Sequence, residues 1–230
     1  MYHERDNLRA IHGASSSFHP IIELKGRAAA RVNLSSLNRE LTPEIFNDMV
    51  LFDNFIEEQK RKLGAEVLYG GYNEDRSIYR RSDLFSDEEP RSLHLGIDIW
   101  DAAGTEIFNP TGGIVHSLGF NNNFGDYGAT LIMQYQVESY NFYLLYGHIS
   151  RHDIEIVREG QYLSRGEMIG HFGKPEENGQ WPPHLHLQMI IDIGTWEGDY
   201  PGVCQPSQSR DYLLNSPDPS FLFTEFINNE

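Results

Sequence analysis

The chain has 230 residues, is 39% hydrophobic and 12% aromatic, and carries a formal net charge of −16. The apolar content excludes a disordered chain and suffices for one sizeable core. The charge argues against gripping a phosphate backbone, and against docking on anionic membranes or wall polymers by charge alone. A single cysteine, Cys204, excludes an internal disulfide and a thiolate metal cluster. With no basic neighbour to depress its pKa, it reads as structural rather than nucleophilic.

The opening MYHERDNLRAIHG is polar and contains no apolar core of a secretion signal, so a cytoplasmic location is the expectation. No apolar run reaches membrane-span length. Residues up to about 40 are weakly patterned, with Phe18, Pro20, Ile21, Ile22 and Leu24 suggesting a short extended piece. One helix then stands out. Thr42 can cap it, Pro43 suits its first position, and Ile45, Met49, Phe52, Ile56 and Leu63 recur at helical spacing before Gly64 stops it. Asp53, Glu57, Lys60 and Arg61 occupy the other face, so this is a surface helix without chemistry of its own.

Beyond Gly64 the texture changes to short strands. Gly70 to Glu74 form a turn and Ser86 to Pro90 an acidic loop. Ile114-Val115, Ala129 to Tyr135, Asn141 to Tyr146, Met168 to Phe172 and His184 to Ile191 read as strands between Gly, Asn, Asp and Pro. No second long helix is expected. The fold class is therefore mainly β, a β-sandwich or barrel-like core with one N-terminal helix. Residues 1–85 form an extension, 86–200 the core domain, and 201–230 a loop-rich tail whose Phe221-Leu222-Phe223 packs back on the sheet.

Chemistry concentrates in three places. In His184-Leu185-His186-Leu187-Gln188-Met189, strand alternation puts His184, His186 and Gln188 on one face, and Leu185, Leu187 and Met189 on the other. The two imidazoles then stand roughly 7 Å apart at Cα. In His94-Leu95-Gly96-Ile97-Asp98, the histidine and the carboxylate also share a face, but a straight strand would hold them roughly 13 Å apart. A common ion therefore demands a bend, which Gly96 permits. Finally, Tyr146-Gly147-His148 closes an apolar strand and brings His148 to its end. His94, Asp98 and His186 together make a tetrahedral zinc set with one open position. His148 and His184 remain to move protons or hydrogen-bond a developing oxyanion. His3, His12, His19, His116, His152 and His171 lack partners at ligand spacing.

The run from His94 to Gln188 resembles the lysostaphin/LytM-type zinc metallopeptidases, β-rich enzymes that cleave peptide cross-links of bacterial cell walls. The family order of His-x(3)-Asp, Tyr-x-His and His-x-His is met by His94 and Asp98, by Tyr146-Gly147-His148, and by His184-Leu185-His186. Its glycine-punctuated hairpins correspond to residues 107–115, 127–133 and 160–170. The resemblance implies the duplicated hybrid motif fold over 86–200, zinc on His94, Asp98 and His186, and catalytic roles for His148 and His184. The implied activity is a zinc metalloendopeptidase acting on peptidoglycan cross-links or related small peptides. Zinc suits the donors best, although manganese or nickel could occupy the same set.

Two departures stand out. Trp181 lies in the loop before His-x-His, where the family carries small residues, and no secretion signal is evident. Upstream, Asn73 is a candidate for capping the zinc, as in latent members. Arg76 and Tyr79 are candidates for substrate contacts or salt-bridged packing. The competing readings are a non-catalytic binding or regulatory module on the same scaffold and a phosphoryl relay through the two-histidine strand. The second gives His94 and Asp98 no role.

Overall fold

A computed structural model describes residues 2–76 and 89–223. The architecture is mainly β, built on an eight-stranded mixed sheet. Its centre is β4 (Ile97–Trp100), β11 (His184–Ile190), β8 (Tyr140–Ile149) and β7 (Gly128–Val137), all antiparallel neighbours. One flank continues through β6 (Gly113–Asn121) to β9 (Tyr162–Leu163). The other runs through β2 (Val67–Gly70) to β1 (Ala29–Arg31), which pairs in parallel with β2. β5 (Glu106–Phe108) pairs with β10 (Met168–His171), and β3 (Leu93–His94) pairs with β12 (Val203–Cys204).

The alternation in β11 decides which face is core. Leu185, Leu187 and Met189 are fully buried in the main apolar cluster with Ile99, Leu131, Leu144 and Tyr146. Each such side chain contributes roughly 1.5–3 kcal/mol by leaving water. The opposite face of β11 carries His184, His186 and Gln188, also buried, but among polar partners.

The helix expected over 43–63 is divided in two. Asp48 takes an extended conformation, ends α2 (Pro43–Asn47), and caps α3 (Met49–Leu63) by accepting the N–H groups of Val50 and Leu51 at 2.9 and 3.0 Å. Gly64, at φ 63°, closes α3. Phe46, Phe52, Phe55 and Ile56 bury against Trp100, Trp181 and Leu68 in a second cluster, so α2 and α3 lie along one side of the sheet. The sequence gives little sign of α1 (Tyr2–Ala14), where Ile11 is the buried anchor in the main cluster and His12 packs on Phe221 of the tail. Two short helices, α4 (Arg151–Ile156) and α5 (Ser209–Asn215), complete the described set.

The single cysteine is buried on β12 beside Leu93 and Leu95. Burial pushes its thiol up to about 11, so it is protonated at neutral pH. None of the described helices is long and apolar enough to cross a membrane.

Candidate metal centre

The bend required between His94 and Asp98 is a change of sheet. β3 pairs with β12, the chain turns through Leu95 and Gly96, and β4 joins the large sheet. Gly96 serves here by lacking a side chain. A Cβ at this position would lie 2.7 Å from the His186 ring and from the Leu187 carbonyl. His186 stands directly opposite Asp98 across the β4–β11 ladder, and opposite Gly147 on the β8 side. The result brings three separated residues into one cluster. His94 Nε2 lies 2.9 Å from His186 Nδ1, and Asp98 Oδ1 lies 3.3 and 3.1 Å from those two nitrogens.

Hydrogen bonds on the far side of each ring decide what these atoms present. His94 Nδ1 is 2.9 Å from the Gly71 carbonyl, which can only accept, so Nδ1 carries the proton and Nε2 offers a lone pair. For His186 the reasoning passes through Gln188. The amide nitrogen of Gln188 donates to the Pro201 carbonyl at 3.1 Å and to Ser216 Oγ at 3.0 Å. Its Oε1 is therefore the acceptor facing His186 Nε2 at 3.1 Å. That nitrogen carries the proton, and Nδ1 offers the lone pair. Two lone pairs and a carboxylate oxygen thus converge on one point, an arrangement that repels itself without a cation between. The donor set, two imidazoles and one carboxylate, fits zinc with a position left open.

The electrostatics agree. Burial, reinforced by the charge of Arg76, lowers His94 to about 4, so its imidazole is neutral at pH 7. For Asp98, burial acts upward, but the adjacent guanidinium of Arg76 opposes it, and the carboxyl lies well below its ordinary value. Asp98 stays ionised, with Oδ2 taken by the guanidinium of Arg76.

His148 and His184 form a second pair beside the first, with ring centroids 4.2 Å apart. His148 Nδ1 donates to the Asn178 carbonyl and His184 Nδ1 to the Pro182 carbonyl, each at 2.8 Å. Each Nε2 is therefore left as an acceptor. Burial lowers His184 to about 4 and, with the neighbouring histidines, His148 well below its ordinary value. The indole of Trp100 stacks on the His184 ring at 4.0 Å and fixes its plane. The side chain of Asn178 organises the preceding loop, accepting from the Trp181 N–H at 3.0 Å and donating to the Trp181 carbonyl at 3.1 Å. Both histidines line the same cleft as His94, Asp98 and His186, with Trp100, Trp181, Phe46 and Phe52 as its apolar wall.

A sequence profile of peptidase family M23 matches residues 92–196. Those residues, a little under half of the chain, are similar to family M23. A relative from Bacillus subtilis (strain 168), the L-Ala--D-Glu endopeptidase, is 28% identical over 115 residues, which is 48% of this chain. The match spans 33% of that relative's length. Among solved structures, a zinc containing peptidase from Vibrio cholerae is 18% identical, covering 54% of this chain and 32% of that one, with a TM-score of 0.38. The catalytic domain of lysostaphin from Staphylococcus simulans is 20% identical, covering 50% of this chain and 77% of that one, with a TM-score of 0.34. The match to the family and to this endopeptidase supports a peptidase role.

The upstream candidates separate. Asn73 is exposed and borders a different groove, with Ser35 and Asp75, so it does not reach the metal centre. Arg76 does, through salt-bridged packing, buried and paired with Glu74 and Asp98. Tyr79 lies outside the described residues. The supporting roles of Gln188 and Trp100 are not visible in the sequence. Gln188 even shares a face with the histidines, but their partners come from the tail and from the neighbouring strand, which no local pattern displays.

Proposed function

We propose that the chain is a zinc-dependent metalloendopeptidase that hydrolyses peptide bonds in peptidoglycan cross-links or related small peptides. The observation that carries this reading is the convergence of His94 Nε2, His186 Nδ1 and Asp98 Oδ1, each with its far side tied down by a separate partner. Zinc held there supplies Lewis-acid chemistry, polarising a carbonyl and lowering the pKa of a water. The chain's own residues do the rest. His148 Nε2 and His184 Nε2 face the cleft as neutral acceptors, one taking a proton as the nucleophile forms and returning it to the leaving amine. Once protonated, either Nε2 also donates to the oxyanion. The stacked Trp100 and the two carbonyl anchors hold these rings in place, so little reorganisation opposes the reaction.

In this reading residues 86–200 form the metallopeptidase domain, α2 and α3 of the 1–85 extension supply one cleft wall, and Pro201 and Ser216 of the 201–230 tail brace the ligand strand. The L-Ala–D-Glu bond named for the Bacillus subtilis relative is the first bond to assay. Elemental analysis of the purified protein is expected to find about one zinc per chain, and mass spectrometry of digested peptidoglycan fragments is expected to find new termini. Full zinc with no cleavage of any fragment would instead favour the non-catalytic module. No zinc after zinc is supplied would sink the metal centre.

A further inference from the structure

We propose that Arg76 is a positioning residue of the metal centre: clamped by Glu74, it holds Asp98 Oδ2 so that the carboxylate offers Oδ1 alone to the metal. The inference rests on the zinc reading above and goes beyond it. It assigns a part of the centre to a residue upstream of the segment that matches the family.

The geometry is a relay fixed at both ends. Arg76 is 4% exposed, and its Nη1 donates to Asp98 Oδ2 while its Nε donates to Glu74 Oε2 at 2.7 Å. Glu74 is anchored in turn, with Oε1 accepting the Leu34 N–H at 3.1 Å. The backbone that carries these side chains is laced to β3. Asn73 N–H donates to the His94 carbonyl at 2.9 Å, His94 N–H to the Glu74 carbonyl at 3.0 Å, and Arg76 N–H to the Ser92 carbonyl at 2.8 Å. Gly71, at φ 104°, supplies the carbonyl that fixes His94, and a Cβ there would lie 2.0 Å from Arg76 Nη2 and 2.9 Å from His94 Nδ1. One short strap, residues 71–76, thus touches two of the three candidate ligands.

Two effects of the guanidinium oppose each other. Its positive charge next to the centre works against a dication. Its planar fork, which a lysine cannot reproduce, fixes the carboxylate's orientation and blocks bidentate binding. Support of this kind, where a residue orients a ligand, is worth roughly 10–100-fold in metal affinity. Arg76→Lys separates the two, because it keeps the charge and loses the fork.

The experiment compares wild type, Arg76→Lys and Glu74→Gln. Each apoprotein is titrated with zinc against a fluorescent chelator, and each cobalt(II)-loaded protein is read by visible absorption, with near-ultraviolet circular dichroism reporting the fold. If Arg76 positions Asp98, Arg76→Lys binds zinc about tenfold or more weakly, and the cobalt bands change in position and intensity as the carboxylate reorients. Glu74→Gln, which frees the clamp without removing the guanidinium, moves the cobalt spectrum in the same sense. If Arg76→Lys fails to fold, the Glu74→Gln spectrum decides alone. Native-folded variants with zinc affinity within twofold of wild type and an unchanged cobalt spectrum would overturn the inference while leaving the zinc reading intact. A wild type that takes up neither metal overturns both.

Discussion

His184 and His186 sit two positions apart on one face of β11, yet their rings are tied by opposite nitrogens. His184 is held at Nδ1 by the Pro182 carbonyl, two residues away, and leaves Nε2 to the cleft. His186 is held at Nε2 by Gln188, itself held by Pro201 and Ser216, and leaves Nδ1. The difference extends to the two halves of the centre. The candidate ligand half is charged and braced by distant segments, the 71–76 strap on one side and the tail on the other. The half proposed for proton transfer is aromatic and braced mainly by the 178–183 loop. Each environment suits its task. A metal needs an ionised carboxylate, and a buried carboxylate needs a counter-charge. A proton acceptor needs a neutral imidazole, and desolvation keeps it neutral.

The sharpest way to break this comparison is to remove one histidine from each half. His186→Ala deletes a converging lone pair, and bound zinc is expected to fall to background with peptidase activity lost. His148→Ala leaves all three candidate ligands in place. It is expected to keep its zinc and lose about 10²–10⁴ in kcat, the usual worth of a positioned proton-transfer group. Elemental analysis beside kinetics reads both. If His148→Ala also lost its metal, the division into two halves would be wrong, and His148 would belong with the ligands.

That division was only half legible in the sequence. The five histidine and aspartate positions could be singled out because strand alternation shows which side chains share a face, and because Gly96 flagged a break between His94 and Asp98. The strands themselves were readable for the same reason. What supports the site was not, because it is set by pairing between segments far apart in the chain. Arg76 reaches Asp98 only once the strap is laced to β3, and Ser216 reaches Gln188 only once the tail has folded back. The Asp48 break between α2 and α3 lay inside a continuous helical spacing. α1 leaves little trace in the sequence because the described part of that polar stretch buries a single strong anchor, Ile11, in the main cluster, and so shows no apolar helical repeat.

A smaller effect sharpens the ligand half from the tail side. Gln188→Leu removes the acceptor that fixes the His186 tautomer and strands the amide's partners. Zinc affinity is expected to fall about 10–100-fold, with a stability cost of about 1–3 kcal/mol for the buried groups left unpaired. Chelator competition and urea unfolding of the apoprotein measure the two separately. By contrast, the tautomers of His148 and His184, fixed by other carbonyls, should be untouched. In the zinc-saturated variant, kcat should therefore change far less than zinc affinity does. A kcat collapse at full zinc occupancy would show that the halves are coupled.

The smallest expected effect is at Cys204, which lies on β12 against Leu93, next to the candidate ligand His94 but on the apolar side. Cys204→Ala should leave zinc content and activity unchanged, since a thiol held at about 11 is neither a ligand nor a nucleophile at neutral pH. Its stability cost should be about 1 kcal/mol, typical of a single buried substitution. The cost should also depend on pH in a definite direction. In the unfolded chain the thiol ionises near its ordinary value of 9.0, whereas in the folded chain burial delays ionisation to about 11. Across that window the unfolded state loses its proton first, so wild-type stability falls with rising pH by a contribution the alanine variant lacks. Urea unfolding of both proteins at pH 7, 9 and 10 should therefore show the gap between them narrowing as pH rises. A gap that widens would mean the thiol ionises more readily in the folded chain. That would place a positive charge beside Cys204 and draw it into the charged half of the centre.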